Sequence, residues 1–317
     1  MTTPDEDMLI TGAGTAIRGV AGPAGLLRPA VPEASADPTA SLTGRGLRYK
    51  DRATKLALCA GRDALADAGL LLDPGLAVPG ESVGVVVSSN YGNLDTVCDT
   101  VSAIAAHDYT ATSPMALPGT ASNVTASWVA ITYGLRGVNL TLCNGATSGL
   151  DAVSWAGVIV RAGRVRHMLV IGVEPANPVV AELVGPTFDG AAALVLESAE
   201  TARERGATAM ARLGRHARRE THARAVGDVL GGLPAGVPGD RVDLWCRPET
   251  APGDRVESAE EQDLTALLGP ASGALGVVQC VTGAAWLSER AGGTVLATTQ
   301  GVDAAAATVL TGAGAAR

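Results

Sequence analysis

Two rounds of one alternation run through this chain, and they restrict it to layered α/β architecture more than any other feature. In the first round, short apolar runs read as buried strands: Met8–Gly14 (MLITGAG), Ser82–Ser89 (SVGVVVSS), Val138–Cys143 (VNLTLC), His167–Glu174 (HMLVIGVE) and Ala191–Glu197 (AAALVLE). They are β-branched or small throughout, as strands buried on both faces are. Between them lie segments with apolar residues at helical spacing: Asp51–Leu70, Gly92–His107, a proline-bounded loop feeding a small-residue helix in Ser113–Gly137, and a helix over 147–163. After the charged stretch SAETARERGA the pattern restarts. A strand is expected near Ala207–Leu213, a helix near 217–230, a strand at Arg241–Cys246 and a helix near 257–268. A long small-residue helix near 272–290 and strands Thr294–Thr299 and Ala306–Gly312 complete the round. Strands alternating with helices give sheets covered by helices. We therefore divide the chain into a first half, 1–205, and a second, 206–317. Residues 21–48, rich in Pro, Gly, Ala and Ser, read as a surface excursion.

Composition closes off several function classes. With 47% apolar and 18% charged residues, the 317-residue chain has the material for a substantial core. Aromatics are scarce and Phe188 is the sole Phe, so that core must be Ala, Val and Leu. The net charge of -8 argues against a nucleic-acid surface. Lys50 and Lys55 are the only lysines; the densest basic run, Ala211–Arg224, reads as a solvated helix face. The five cysteines form no CxxC and no Cys/His ligand set, so no metal and no disulfide framework is expected. The start of the chain lacks the features of a signal peptide and no segment reads as a membrane span, which suggests a reduced, cytoplasmic setting. The opening strand, read as ending in a glycine turn at Gly12 and Gly14, tempts a dinucleotide reading, but Ile17 stands where G-x-G-x-x-G needs its third glycine, and no cofactor is expected.

The stretch TLCNGATSGLDAV, Thr141–Val153, has the form of a catalytic turn: a strand, a small-residue elbow, then an amphipathic helix. Such an elbow puts a nucleophile at a helix N-terminus, where partial positive charge and free N–H groups lower a thiol's pKa and hold an oxyanion. The residue at the elbow is Ala146, whose methyl group can do neither. Cys143, three residues earlier and in the strand, should point into packing; Ser148 falls outside a G-x-S-x-G pattern. His107 ends a helix, His167 opens a strand, and His216 and His222 lie in the Arg-rich run, so none has a claim to be a base.

Here the chain resembles the β-ketoacyl synthases of the thiolase superfamily. The resemblance rests on SPMALPGTASNVTASWVAITYGLRG, NLTL and GATSGLDAV in order, with Asn123 and Gly137 matching, and on FDGAAALVLESAETARERGA downstream. It implies a thiolase fold, layered α-β-α-β-α from two similar halves. It also puts the active cysteine on Ala146. The family's His-Gly-Thr-Gly-Thr loop is replaced by WCRPETAPGD, Trp245–Asp254, and its second histidine by Pro270; the lysine upstream is missing too. Within the family, the chain is similar to the chain length factors of type II polyketide systems, which lack the cysteine and pair with an active ketosynthase. The elbow Ala, where such partners usually carry Gln, departs from that pattern.

That resemblance implies a heterodimer with an active ketosynthase, joined through the strand Asn139, Leu140, Thr141, Leu142 and Cys143, working on chains carried by an acyl carrier protein. It implies a substrate tunnel past Met115, Ala116, Thr120, Trp128 and Ala146, with Met115 and Ala116 slim enough to admit a long linear chain. An acyl hydrolase or acyltransferase using Ser148 or Cys143, and a homodimeric binding module, remain as alternatives.

Overall fold

The computed structural model describes residues 7–28, 36–231, 241–290 and 292–313. Residues 29–35 of the expected surface excursion lie outside these. The first set of elements is β1 (Met8–Ile17), α1 (Arg52–Asp67), a small hairpin of β2 (Leu71–Leu72) and β3 (Gly75–Leu76), β4 (Val83–Ser88), α2 (Leu94–His107) and α3 (Val124–Tyr133). It continues through β5 (Asn139–Leu142), α4 (Ser148–Arg161), β6 (His167–Glu174), α5 (Pro178–Val184), β7 (Gly190–Ser198) and α6 (Ala199–Glu204). The second set is β8 (Ala211–Arg219), α7 (His222–Leu230), β9 (Val242–Cys246), β10 (Ser258–Gln262), α8 (Leu264–Leu268), α9 (Leu275–Glu289), β11 (Thr294–Gln300) and β12 (Ala305–Thr311).

Ten of the strands form one sheet, ordered β10-β9-β11-β12-β8-β1-β7-β6-β4-β5. Its centre is a short antiparallel ladder in which Met8, Leu9 and Ile10 face Leu213, Arg212 and Ala211. Outward from this ladder the two sides repeat each other. Counting only the strands of this sheet, each runs first, fifth, fourth, second, third strand of its set, and the successive pairings are antiparallel, antiparallel, parallel, parallel.

Side chains alternate across this sheet and divide the interior into three cores. On one face Val83, Val85 and Val87 of β4 and Leu169, Ile171 and Val173 of β6 pack under α1 and α3. The intervening residues, Val86, Met168 and Val170, turn the other way to meet α4 and α9, which also pack against Leu244, Val295, Ala297 and Leu310 of the second set. Beyond that set, α7 covers Trp245, Leu296 and Ala307. The sheet thus folds over a central helical layer, giving helix, sheet, helix, sheet, helix in succession. The central helices touch at their backbones: a Cβ on Gly149 would lie 2.8 Å from Gly273 O and Gly276 N.

Four sequence expectations need correcting. Gly12 and Gly14 do not end the first strand in a turn; β1 runs on to Ile17, and the glycines clear space for α1, since a Cβ on Gly12 would lie 2.5 Å from Ala68 N. The basic run Ala211–Arg224 is not one helix face. It is mostly β8, with neighbouring strands paired on both sides: Ala211, Leu213 and Ala217 are buried, Arg215 and Arg219 are exposed, and Arg218 reaches toward Asp151. The strand begins at Ala211, four residues later than expected at its start, and α7 begins only at His222. The stretch near 257–268 is not a single helix. Residues Ser258–Gln262 pair in parallel with β9, and Asp263 then caps a short α8 by accepting from Ala266 N at 2.9 Å.

The helix crossing gives a stability prediction. Gly276→Ala, whose methyl would strike Leu150 N, should destabilise the chain by about 1–3 kcal/mol. Gly227→Ala, in α7 with open space around it, should stabilise by about 0.4–1 kcal/mol. Thermal unfolding of the two variants measures both.

Candidate functional site

The elbow lies at the mouth of the central layer. After β5 the chain turns through Gly145, at φ 81°, a conformation that strains any side chain. A single 3-10 turn, Gly145–Thr147, then enters α4, whose N-terminus has no side-chain cap. Ala146 is half-buried, and a Cβ on Gly301, after β11, would lie 3.3 Å from its methyl.

Two polar networks brace this turn. In the first, Asn90 Nδ2 donates to Gly145 O at 3.1 Å and to Ser272 Oγ at 2.9 Å, while Gly145 N donates to Asn90 Oδ1 at 3.2 Å. Behind it, Glu174 at the end of β6 is fully buried. It accepts from Asn90 N at 2.7 Å, Tyr91 N at 3.0 Å, Ser89 Oγ at 3.1 Å and Gly273 N at 3.2 Å. Burial raises its pKa to about 7 against the pull of those four donors. Glu249, in the Trp245–Asp254 loop, accepts from Ala271 N and Ser272 N at 2.9 Å each.

The second network reaches the elbow from the other strand set. Asp151 on α4 accepts from Asn144 Nδ2 at 2.6 Å and Thr147 Oγ1 at 2.8 Å. His216 of β8 holds it at 3.2 Å through Nε2 and bonds Thr308 through Nδ1 at 2.9 Å. Arg218 Nε donates to Thr147 Oγ1 at 3.2 Å. Burial would raise the Asp151 pKa, but the bonds from His216, Thr147 and Asn144 outweigh it and hold the carboxyl below the ordinary range.

The other histidines lie apart from the elbow. His167 is buried beside Glu197, His222 is buried against Trp245, and His107 is exposed at the end of α2. Pro270 is exposed; its carbonyl accepts from Phe188 N at 2.9 Å and Thr187 Oγ1 at 2.8 Å, so it serves as a backbone anchor. Cys143 does not point into packing as expected. β5 is the outermost strand and ends at Leu142, which leaves Cys143 exposed. Burial of the thiol and the nearby Glu174 raise its pKa, the opposite of activation. Ser148 is fully buried, and its hydroxyl has no bonding partner among the described residues. Among those residues no group of three or more His, Cys, Asp or Glu could hold a metal ion.

The residues expected around a tunnel do not all meet. Met115 and Trp128 line a groove of about 580 Å³ with Tyr49, Pro118, Val124 and Ile131. Ala116 and Thr120 are half-buried beside it, Thr120 donating to Leu117 O at 2.8 Å, and are not among its lining residues; nor is Ala146. Along β5, Asn139 is exposed, Leu140 and Leu142 pack partly against the central core, and Thr141 Oγ1 has no bonding partner among the described residues. Sequence reasoning missed Asn90, Glu174, Asp151, His216 and Glu249. Only Glu174 carried a readable signal, a carboxylate closing an otherwise uncharged buried strand.

Glu174 yields a pH prediction. A folded-state pKa near 7 against an ordinary 4.5 means the folded chain holds a proton that the unfolded chain has lost across that window. Stability from this group is therefore present below about pH 4.5 and declines as pH rises to about 7. His222, with neither ring nitrogen bonded among the described residues and its pKa lowered by burial, works in the opposite direction below pH 6.5. Melting curves of the native chain and Glu174→Gln from pH 5 to 8 separate the two: the decline belonging to Glu174 should vanish in the variant.

Comparison with known proteins fits this geometry. Residues 28–185 match the family described as Beta-ketoacyl synthase, N-terminal domain. Among curated proteins, the chain is 30% identical over 141 residues to 3-oxoacyl-[acyl-carrier-protein] synthase 2 of Vibrio harveyi, and 26% identical over 141 residues to that of Coxiella burnetii. Each match covers 44% of this chain and spans 33% of the relative's length. Among solved structures, a type II PKS acyl-carrier protein in complex with its ketosynthase bound to the hexaketide superposes with a TM-score of 0.80 at 17% identity, covering 96% of this chain and 99% of that one. The ishigamide ketosynthase/chain length factor gives 0.72 at 23%, and a Beta-ketoacyl synthase from Burkholderia phymatum 0.71 at 17%, both with the same coverage. Residues 28–185 thus resemble a β-ketoacyl synthase N-terminal domain, and the chain as a whole has the mixed α/β, thiolase-like fold of the ketosynthases.

Proposed function

We propose that this chain is a non-catalytic chain length factor. It pairs in the cytoplasm with an active ketosynthase and shapes the tunnel in which an acyl chain grows on an acyl carrier protein. The observation that carries this is the elbow: a glycine-dependent, doubly braced turn at a helix N-terminus that holds a methyl group. We take 1–205 and 206–317 as its two ketosynthase-like halves. Met115, Ala116, Thr120, Trp128 and Ala146 face the growing chain, with the tunnel completed by the partner.

The two ends of the sheet support pairing through β5. β5 and β10 hold equivalent places in the repeated topology. β10 carries exposed Glu260 and Glu261, charges that discourage strand addition. β5 reads NLTL and carries none. The exposed large apolar residues also fall mostly in the first set of elements, the set that contains β5. Val101, Ile104, Met115, Ile131, Trp155 and Val158 are all exposed there, against Leu267 and Val302 among the described residues of the second set. Patches of that kind mark interaction surfaces. No described helix is long and apolar enough to cross a membrane, so a bilayer-spanning role for that surface is not indicated.

The backbone of β5 provides a selective test. Val85 N donates to Val138 O and Ser89 N to Leu142 O, so in the parallel ladder the even-numbered residues bond β4 while Asn139 and Thr141 turn their N–H groups to the open edge. Thr141→Pro removes an outward donor and leaves the β4 ladder intact. Co-expressed with a ketosynthase carrying the elbow cysteine and both histidines, the native chain should co-purify one to one. Thr141→Pro should fold with an unchanged far-ultraviolet spectrum and bind at least about tenfold more weakly. The purified chain should elongate no acyl thioester alone; condensation without a partner would overturn the assignment.

A further inference from the structure

The groove behind Met115 has a feature that its lining residues do not explain. Lys50, one of two lysines in the chain, places its ammonium 3.4 Å from the centroid of the Trp128 ring. Lys50 does not line the groove; Trp128 and Gly46 do. Its Nζ would lie 3.8 Å from a Cβ on Gly46, so the ammonium sits between that turn and the ring. Any effect on a groove occupant must pass through the indole.

Both partners are mounted on fixed elements. Lys50 immediately precedes Asp51, which caps α1 by accepting from Thr54 N at 2.7 Å. Trp128 is on α3, which is joined to α1 by Thr54 Oγ1 and Thr125 Oγ1 at 3.3 Å and by Tyr133 OH donating to Leu58 O at 2.7 Å. A half-exposed indole on a helix ordinarily samples several rotamers. A cation over its face selects the one in which the ring stays under the ammonium.

We propose that Lys50 is a positioning residue that pins Trp128 as the end wall of the groove and so sets the length of the linear acyl chain the groove admits. This rests on the tunnel assignment above and adds to it the residue that fixes the limit. A guanidinium can occupy the same place over the ring, and a methionine of similar length carries no charge. Lys50→Arg should therefore preserve the limit and Lys50→Met should relax it.

Two measurements on the chain reconstituted with a ketosynthase partner whose elbow cysteine is changed to alanine keep the pinning and the tunnel assignment apart. The first is the 19F spectrum of the chain labelled with 6-fluorotryptophan, the Trp128 resonance being identified from Trp128→Phe. It should shift or broaden in Lys50→Met and stay in place in Lys50→Arg. The second is calorimetric binding of saturated acyl-pantetheines of increasing length. For the native chain and Lys50→Arg, affinity should rise with length and then break off. For Lys50→Met the break should move to longer chains, the first probe beyond the native limit gaining about fivefold in affinity. A 19F spectrum indifferent to Lys50→Met overturns the pinning. A shifted spectrum with an unchanged length profile overturns the role in length selection. A shifted spectrum with no acyl-pantetheine bound by any variant leaves the ring pinned, removes the acyl groove, and overturns the proposal through the tunnel assignment.

Discussion

The backbone contact between α4 and α9, at Gly149 and Gly276, is the constraint on which the rest of the molecule depends. Two sheet halves can share one thin helical layer only if the helices in it touch without side chains between them. That closeness carries the start of α9, and with it Ser272 and Gly273, up against the elbow that begins α4. The bonds from Asn90 to Gly145 and Ser272, and from Gly273 to Glu174, are consequences of that crossing.

The elbow is expensive in physical terms and carries no nucleophile. A buried carboxylate is costly unless it is well bonded, and Glu174 is retained with four donors at hydrogen-bond distance. Asp151 is likewise held by four residues drawn from both strand sets. These bonds fix the shape of a surface. Nearby, Glu249 grips the backbone at Ala271 and Ser272, and Pro270 anchors Thr187 and Phe188. The second strand set is also sparer than the first. Residues 247–257 alone join β9 to β10, where the corresponding passage from β4 to β5 spans 89–138 and includes α2 and α3. The groove with Met115 and Trp128 belongs to that larger insertion.

Much of the fold was legible because burial writes itself as period. β6 was read residue for residue from HMLVIGVE, and the long helices α1, α4 and α9 from their spacing. The errors fall where tertiary partners override local pattern. Arginines in β8 imitate a helix face because only alternate residues are buried, and the acidic edge strand β10 has no apolar signature. Gly12 and Gly14 read as a turn because the sequence does not show the helix lying on them. In the site, Ala146 was legible by its place in a motif. Its bracing was not, since Asn90, Glu174 and Asp151 meet the elbow across distances of chain that no local pattern connects.

The most direct test of a wall without a nucleophile is intact-protein mass spectrometry of the reconstituted pair after a short exposure to an acyl-loaded carrier protein. The account predicts that the ketosynthase gains the mass of one acyl group while this chain keeps its own. An acyl adduct on this chain, at Cys143, Ser148 or any other residue, would contradict it.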